Sequence, residues 1–173
     1  MQNIKAYIML ICASLFWAGN FIVGKYAFLT EIPPLSLVFY RWSLVWIILL
    51  PFTYKEIIKY KDTILNNLPL LFFLGLTSVG LFNSFTYLSL IHTQVINASL
   101  FNTAIPVTII FVCFLLKIEK TNIFQLSGLL ISVLGILAII TRLDLNILLS
   151  LNFNKGDLFM IGAIIAWGIY SAI

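Results

Sequence analysis

Five apolar stretches follow one another along this chain, each close to the length a helix needs to cross a bilayer, and this constrains the fold more than any motif does. About 30 Å of hydrocarbon, at 1.5 Å of rise per residue, requires about 20 residues. The stretches run Ala6–Phe28, Leu35–Phe52, Leu68–Leu90, Val95–Leu116 and Ile123–Thr141. A sixth begins near Gly156 and is still apolar at Ile173. With 62% hydrophobic and 9% charged residues, most of the surface must meet lipid, because soluble domains carry about a quarter charged residues. The sequence therefore predicts an all-α, polytopic membrane helical bundle, with five complete transmembrane helices plus the start or whole of a sixth.

The same composition excludes other classes. One histidine, two cysteines and six acidic residues cannot build a disulfide scaffold or a zinc module. The net charge of +4 is scattered between apolar blocks, whereas a nucleic-acid footprint is a clustered basic face. The expected partners are the lipid bilayer and a small-molecule solute, with no nucleic acid. Cys12 and Cys113 fall inside spans and read as small packing residues.

Short connections leave no room for an extramembrane domain. Pro33-Pro34 suits the end of one helix and the start of the next, and Pro51 and Pro69 are expected to flank the second connection in the same way. Lysine and arginine are enriched in cytoplasmic loops. With the N-terminus inside, that side holds six lysines (Lys5, Lys55, Lys59, Lys61, Lys117, Lys120), against Arg142 and Lys155 outside, plus Lys25 and Arg41 near that interface. The expected location is the cell (inner) membrane, multi-pass, N-terminus cytoplasmic. The first apolar run continues to Phe28, too long for a signal-peptide core, so it reads as a retained helix.

Polar residues inside a span are costly and therefore informative. The first helix carries Ala13, Trp17, Asn20 and Gly24 at spacings of four, three and four, which puts them on one face. Trp17 and Asn20 on that face either line a cavity or glue helices together. Lys25 lies near enough to the outer end to snorkel. Arg41 lies six residues beyond Leu35, roughly 9 Å deep at the helical rise. It either snorkels toward the headgroups near Glu31 or holds an anionic group of a ligand in its guanidinium fork.

The third helix shows Gly80, Asn83 and Tyr87 on one face with Thr86 alongside, and the fourth shows Ser99, Asn102, Thr103 and Pro106. Pro106 removes one backbone hydrogen bond and frees the carbonyl of Asn102. Two neighbouring polar stripes predict a shared polar cavity. In the fifth helix Gly128, Ser132 and Gly135 form a small-residue ridge for close helix packing. His92 reads as a solvated turn residue. All six acids fall in loops or at helix ends, so no carboxylate lies deep in a span to relay protons. Neither HExxH, GxSxG nor a P-loop is present. No catalytic residue, metal site or cofactor is expected, and the chain does not read as an enzyme.

The runs LFWAGNFIVGKYA, PPLSLVFYRW, FNTAIPVTIIF and KIEKTNIFQLSGLLISVLGI together resemble the EamA-type transporters of the drug/metabolite transporter superfamily. That resemblance implies a ten-helix carrier of two inverted five-helix repeats around a central cavity, a general transporter plan. It carries over to Trp17, Asn20, Arg41 and Pro106, and gives Glu119 a structural place at the end of the fourth helix. It also implies a division into a first repeat over 1–142, a loop over 143–155, and the first helix of a second, truncated repeat over 156–173. Ala13 and Trp17 recur as Ala163 and Trp167, a weak echo of that repeat.

The leading expectation is a multi-pass carrier that moves a small metabolite, an amino acid or related compound, by alternating access, from a chain that is a fragment of a ten-helix protein. Its substrate-binding cavity is expected to be lined by Trp17, Asn20, Arg41, Asn83, Tyr87, Asn102, Thr103 and Pro106. A second half-carrier chain or a homodimer is the alternative way to complete it. Two other functions stay open: a non-transporting membrane assembly subunit, and a small-multidrug-type dimeric exporter. The exporter depends on a membrane-embedded glutamate in the first helix, which this sequence lacks.

Overall fold

Helix α1 (Gln2–Leu29) and helix α2 (Pro34–Lys59) are separated by a turn whose geometry follows from its residues. Glu31 adopts φ 63°. Its N–H bonds to the Phe28 carbonyl at 3.1 Å, while that of Ile32 reaches back to Ala27 at 2.9 Å. This paired closure consumes carbonyls that a helix end would leave orphaned. Pro33 then serves as N-cap and Pro34 opens α2, where the missing N–H costs nothing. The computed structural model describes residues 2–118, 122–141 and 154–173. Glu119, Lys120, Arg142, Asp144 and the expected loop up to residue 153 lie outside the described residues.

The third span is a continuous helical rod in three parts: α4 (Leu68–Gly75), a π-helical turn (Leu76–Leu81) and α5 (Phe82–His92). The fourth span is broken into α6 (Val95–Asn102) and α7 (Ile105–Leu115). The break falls where Pro106, in the first turn of α7, has no N–H to give to Asn102. Helix α8 (Ile123–Thr141) follows, and α9 (Lys155–Ala172) is the last. Among the described residues four helices, Ile4–Leu29, Pro34–Lys59, Leu68–His92 and Val95–Leu115, are long and apolar enough to cross a membrane. The fifth expected span is the 19-residue α8 (Ile123–Thr141). The result is an all-α membrane bundle.

Two expectations change in detail. Helix α2 does not stop near Pro51 but runs through it to Lys59, and α3 (Lys61–Asn66) continues into the expected loop. The residues there are ordinary helix formers, and Lys59 pairs with Glu56 at 3.7 Å on the exposed face. The ridge on α8 has no close neighbour: a Cβ built on Gly128 or Gly135 meets nothing within 4 Å among the described residues.

Close approach occurs on α9 instead. Met160 and Ala163 are fully buried and join Leu90, Ala98, Phe101 and Ile105 in the core, so α9 packs among α5, α6 and α7. A Cβ on Gly156 would lie 2.7 Å from the Ser89 carbonyl oxygen, and one on Gly168 would lie 2.7 Å from Thr108 Cγ2. Elsewhere large apolar side chains point outward, as at Phe16, Phe52 and Phe124, each at least 80% exposed. Such a surface is stable against lipid or a further apolar partner.

Gly156→Ala is expected to lower the melting temperature of the detergent-solubilised protein, by the equivalent of about 1–3 kcal/mol, because the obstructing atom is backbone and cannot step aside. Gly19→Ala, with nothing within 4 Å, should melt no lower than the parent. Equal melting of the two variants would contradict the docking of α9.

Candidate functional site

A charge inside a membrane needs partners or water, and Arg41 shows which it has. Its Nη1 donates to Asn20 Oδ1 on α1 and to the Tyr87 hydroxyl on α5, and Tyr87 Oη in turn donates to Asn20 Oδ1 at 2.6 Å. Three helices are thus tied at one point by a guanidinium, an amide and a phenol. Glu31 is exposed in the α1–α2 turn, and no carboxylate pairs with Arg41 among the described residues. The arrangement depends on Gly24: a Cβ there would sit 2.8 Å from Tyr87 Cε1, so only glycine lets the tyrosine ring lie against α1 and reach Asn20. Tyr87 itself is 3% exposed.

Above this knot opens a cleft of about 540 Å³ between α1, α2, the π-turn with α5, and α9. Trp17, Asn20, Arg41 and Asn83 line it, together with Trp42, Phe82 and Trp167. The aromatic walls touch one another. Trp167 stands edge-on to Trp17 with ring centroids 6.0 Å apart, and lies 4.6 Å from Phe82. The Arg41 guanidinium lies 5.6 Å from the Trp42 ring, close enough for a cation–π contribution. Trp42 Nε1 is buried with no acceptor among the described residues.

The π-turn shapes one wall. Asn83 Nδ2 donates to the carbonyls of Ser78 at 3.0 Å and Val79 at 3.2 Å. Thr77 Oγ1 and Ser78 Oγ donate to Phe73 and Leu74 in the turn before. Side chains thereby take up carbonyls where the helix changes pitch. Both amide hydrogens of Asn83 are committed to the backbone, so it can offer the cleft only its Oδ1.

Of the residues expected to share one cavity, Trp17, Asn20, Arg41 and Asn83 line the cleft and Tyr87 lies beneath it. Asn102, Thr103 and Pro106 do not line it. Thr103 is exposed, its hydroxyl bonded to its own helix at Leu100 O, 2.6 Å away. Pro106 is also exposed, and Asn102 Oδ1 is buried without a partner among the described residues. The fourth wall of the cleft comes from α9, through Trp167 and Tyr170. Trp42, Ser78 and Tyr170 are contributors that sequence spacing did not single out. The signal was available at Trp42, an aromatic beside the half-buried arginine. Among the described residues no group of three or more His, Cys, Asp or Glu side chains gathers as metal ligands would.

Residues 4–141 match the family model described as the EamA-like transporter family. The chain is 28% identical over 177 residues to an uncharacterized transporter, YyaM, of Bacillus subtilis (strain 168), an alignment covering 100% of this chain and 56% of that protein. It is 30% identical over 176 residues to an uncharacterized transporter of Archaeoglobus fulgidus, covering 99% and 58%. The chain thus spans a little over half the length of the curated relatives it matches. No solved structure matches significantly.

Tyr87→Phe removes one oxygen from the knot and leaves Arg41 with Asn20 alone. Its expected cost is about 1–3 kcal/mol, the range for leaving a buried donor or acceptor short of a partner, read as a lower melting temperature in detergent. An unchanged melting temperature would show that the knot contributes nothing to the bundle.

Proposed function

The chain belongs to the EamA-like transporter family, and from that premise we propose that this multi-pass membrane protein forms part of a carrier whose solute binds in the cleft of α1, α2, α5 and α9. The solute is a small metabolite with an anionic group, an amino acid or related compound, moved by alternating access. Arg41 carries this reading. Its positive charge lies within the spans, its partners are the neutral oxygens of Asn20 and Tyr87, and it lines the cleft floor. Neutral partners leave its charge uncancelled, so an incoming carboxylate meets an attraction strengthened by the low dielectric. Trp17, Phe82 and Trp167 offer apolar walls to the rest of the solute.

Asn83 acts in this scheme mainly by holding the π-turn, and Asn102, Thr103 and Pro106 by setting the break between α6 and α7. The contact of Trp17 with Trp167 supports reading α9 as the first helix of a second, inverted repeat. Matching residues of two related copies meet where their symmetry axis passes. A fragment of a ten-helix carrier, or a half completed by a second chain or a homodimer, is consistent with alignments that cover 56% and 58% of the relatives. The N-terminus faces the cytoplasm, and the membrane is the cell (inner) membrane.

Transport by the full-length carrier in proteoliposomes, with a substrate identified by uptake screening, tests the cleft. Arg41→Lys keeps the charge but loses the planar fork, and is expected to cut transport about tenfold. Arg41→Gln should cut it further, and Lys59→Gln should not. Folded Arg41 variants that transport at the parent rate would remove Arg41 from solute binding. For topology, cysteines introduced at Lys59 and Gln94, both exposed, in a chain lacking Cys12 and Cys113, should react with an impermeant maleimide from opposite sides, Lys59 from the cytoplasm.

A further inference from the structure

A second hollow, of about 410 Å³, lies where the C-terminal ends of α1 and α5 meet the N-terminal ends of α6 and α9. It shares no lining residue with the cleft. Its lining is polar: Lys25, His92, Thr93, Gln94, Asn97 and Asn154, with Ile91 the exception. Lys25 is half-buried and donates to the carbonyls of Leu90 at 2.6 Å and Thr93 at 3.2 Å. These contacts hold α1 to the end of α5, yet an ammonium has three hydrogens and one remains. Among the described residues no carboxylate is paired with it.

Two further sets of donors converge there. Gln94 is the N-cap of the eight-residue α6 but gives no side-chain cap, so the first-turn N–H groups and the positive end of that helix stay open. Thr93, 6% exposed, has a hydroxyl with no partner among the described residues. The neighbouring N-terminus of α9 differs. Asn154 Oδ1 accepts from Asp157 N at 2.9 Å, and Asp157 Oδ2 accepts from Asn154 N at 3.1 Å. That capping box satisfies α9 internally and occupies the Asp157 carboxylate.

A half-buried cation with a hydrogen to spare, an uncapped helix start and an unpartnered hydroxyl around one polar hollow leave donors in excess of acceptors among the described residues. We propose that this hollow binds an anionic carboxylate or phosphate group, held by Lys25, Asn97 and the first turn of α6. The group belongs either to a free anion or to an anionic lipid headgroup. Both present the same oxygens, and at a bundle end both are within reach.

A cysteine placed at Gln94, in a chain with Cys12→Ala and Cys113→Ala, reads this hollow locally and independently of the cleft. In phosphatidylcholine nanodiscs, inorganic phosphate or acetate at matched ionic strength is expected to slow alkylation of that cysteine several-fold and saturably. Asn97→Asp, at an exposed position, sets a carboxylate against the anion and should abolish the protection, as should Lys25→Gln. Slow alkylation in phosphatidylglycerol nanodiscs without added phosphate, relieved by Asn97→Asp, identifies the headgroup as the source. Protection by phosphate in phosphatidylcholine identifies the free anion. Alkylation indifferent to phosphate, acetate and phosphatidylglycerol overturns the proposal, as does protection that survives Asn97→Asp.

Discussion

A guanidinium held inside a membrane bundle decides how this chain packs. An arginine side chain costs several kcal/mol if it meets hydrocarbon, so the helices around Arg41 must supply oxygens. They do so from two neighbours at once, Asn20 on α1 and Tyr87 on α5. That requirement propagates. Tyr87 reaches Asn20 only because Gly24, one turn further along α1, leaves its ring room. With α1, α2 and α5 fixed at one level, the space above the knot cannot close, and α9 walls it with Trp167.

The third span serves as common acceptor for two cations of the first two helices, Arg41 and Lys25. Arg41 meets its side chain at Tyr87, and Lys25 meets its carbonyl ends at Leu90 and Thr93. Lys25 therefore does more than extend toward headgroups, as its position near a helix end would suggest. It also sits at the carbonyl end of α5, where the helix dipole favours a positive charge. Those carbonyls would otherwise be orphaned in a medium with little water to satisfy them. A membrane bundle with few charges thus uses two of them as fasteners between helices.

Much of this was readable because hydrocarbon punishes polarity so consistently. The spacing of Trp17, Asn20 and Gly24 gave one face of α1, the depth of Arg41 gave its need for partners, and Pro33-Pro34 gave the first turn. Residues whose polar groups can be satisfied within their own helix misled the reading. Thr103 bonds back to Leu100 and does not line the cleft, so a stripe at helical spacing did not by itself make a cavity wall. The π-turn was hidden for the same reason, since its stabilisers Thr77, Ser78 and Asn83 are also the residues that glue helices. Pro51 misled in the opposite direction, because a proline inside a helix can be carried through where the sequence around it favours helix strongly enough.

The choice of neutral over charged partners for Arg41 has a consequence that a simple count of salt bridges would miss. A carboxylate beside it would cancel the charge, and a ligand's anion would then have to displace a partner already well matched to the fork, at a cost comparable to its own gain. An amide and a phenol hold the guanidinium in place with dipoles, fixing its geometry while leaving the positive potential in the cleft. For the proposed solute, orientation would be set before binding, and little of the binding energy would go into ordering the site. A bundle needing only a structural clasp could use either kind of partner; the proposed role of presenting a positive charge to an anion is better served by the neutral pair found here.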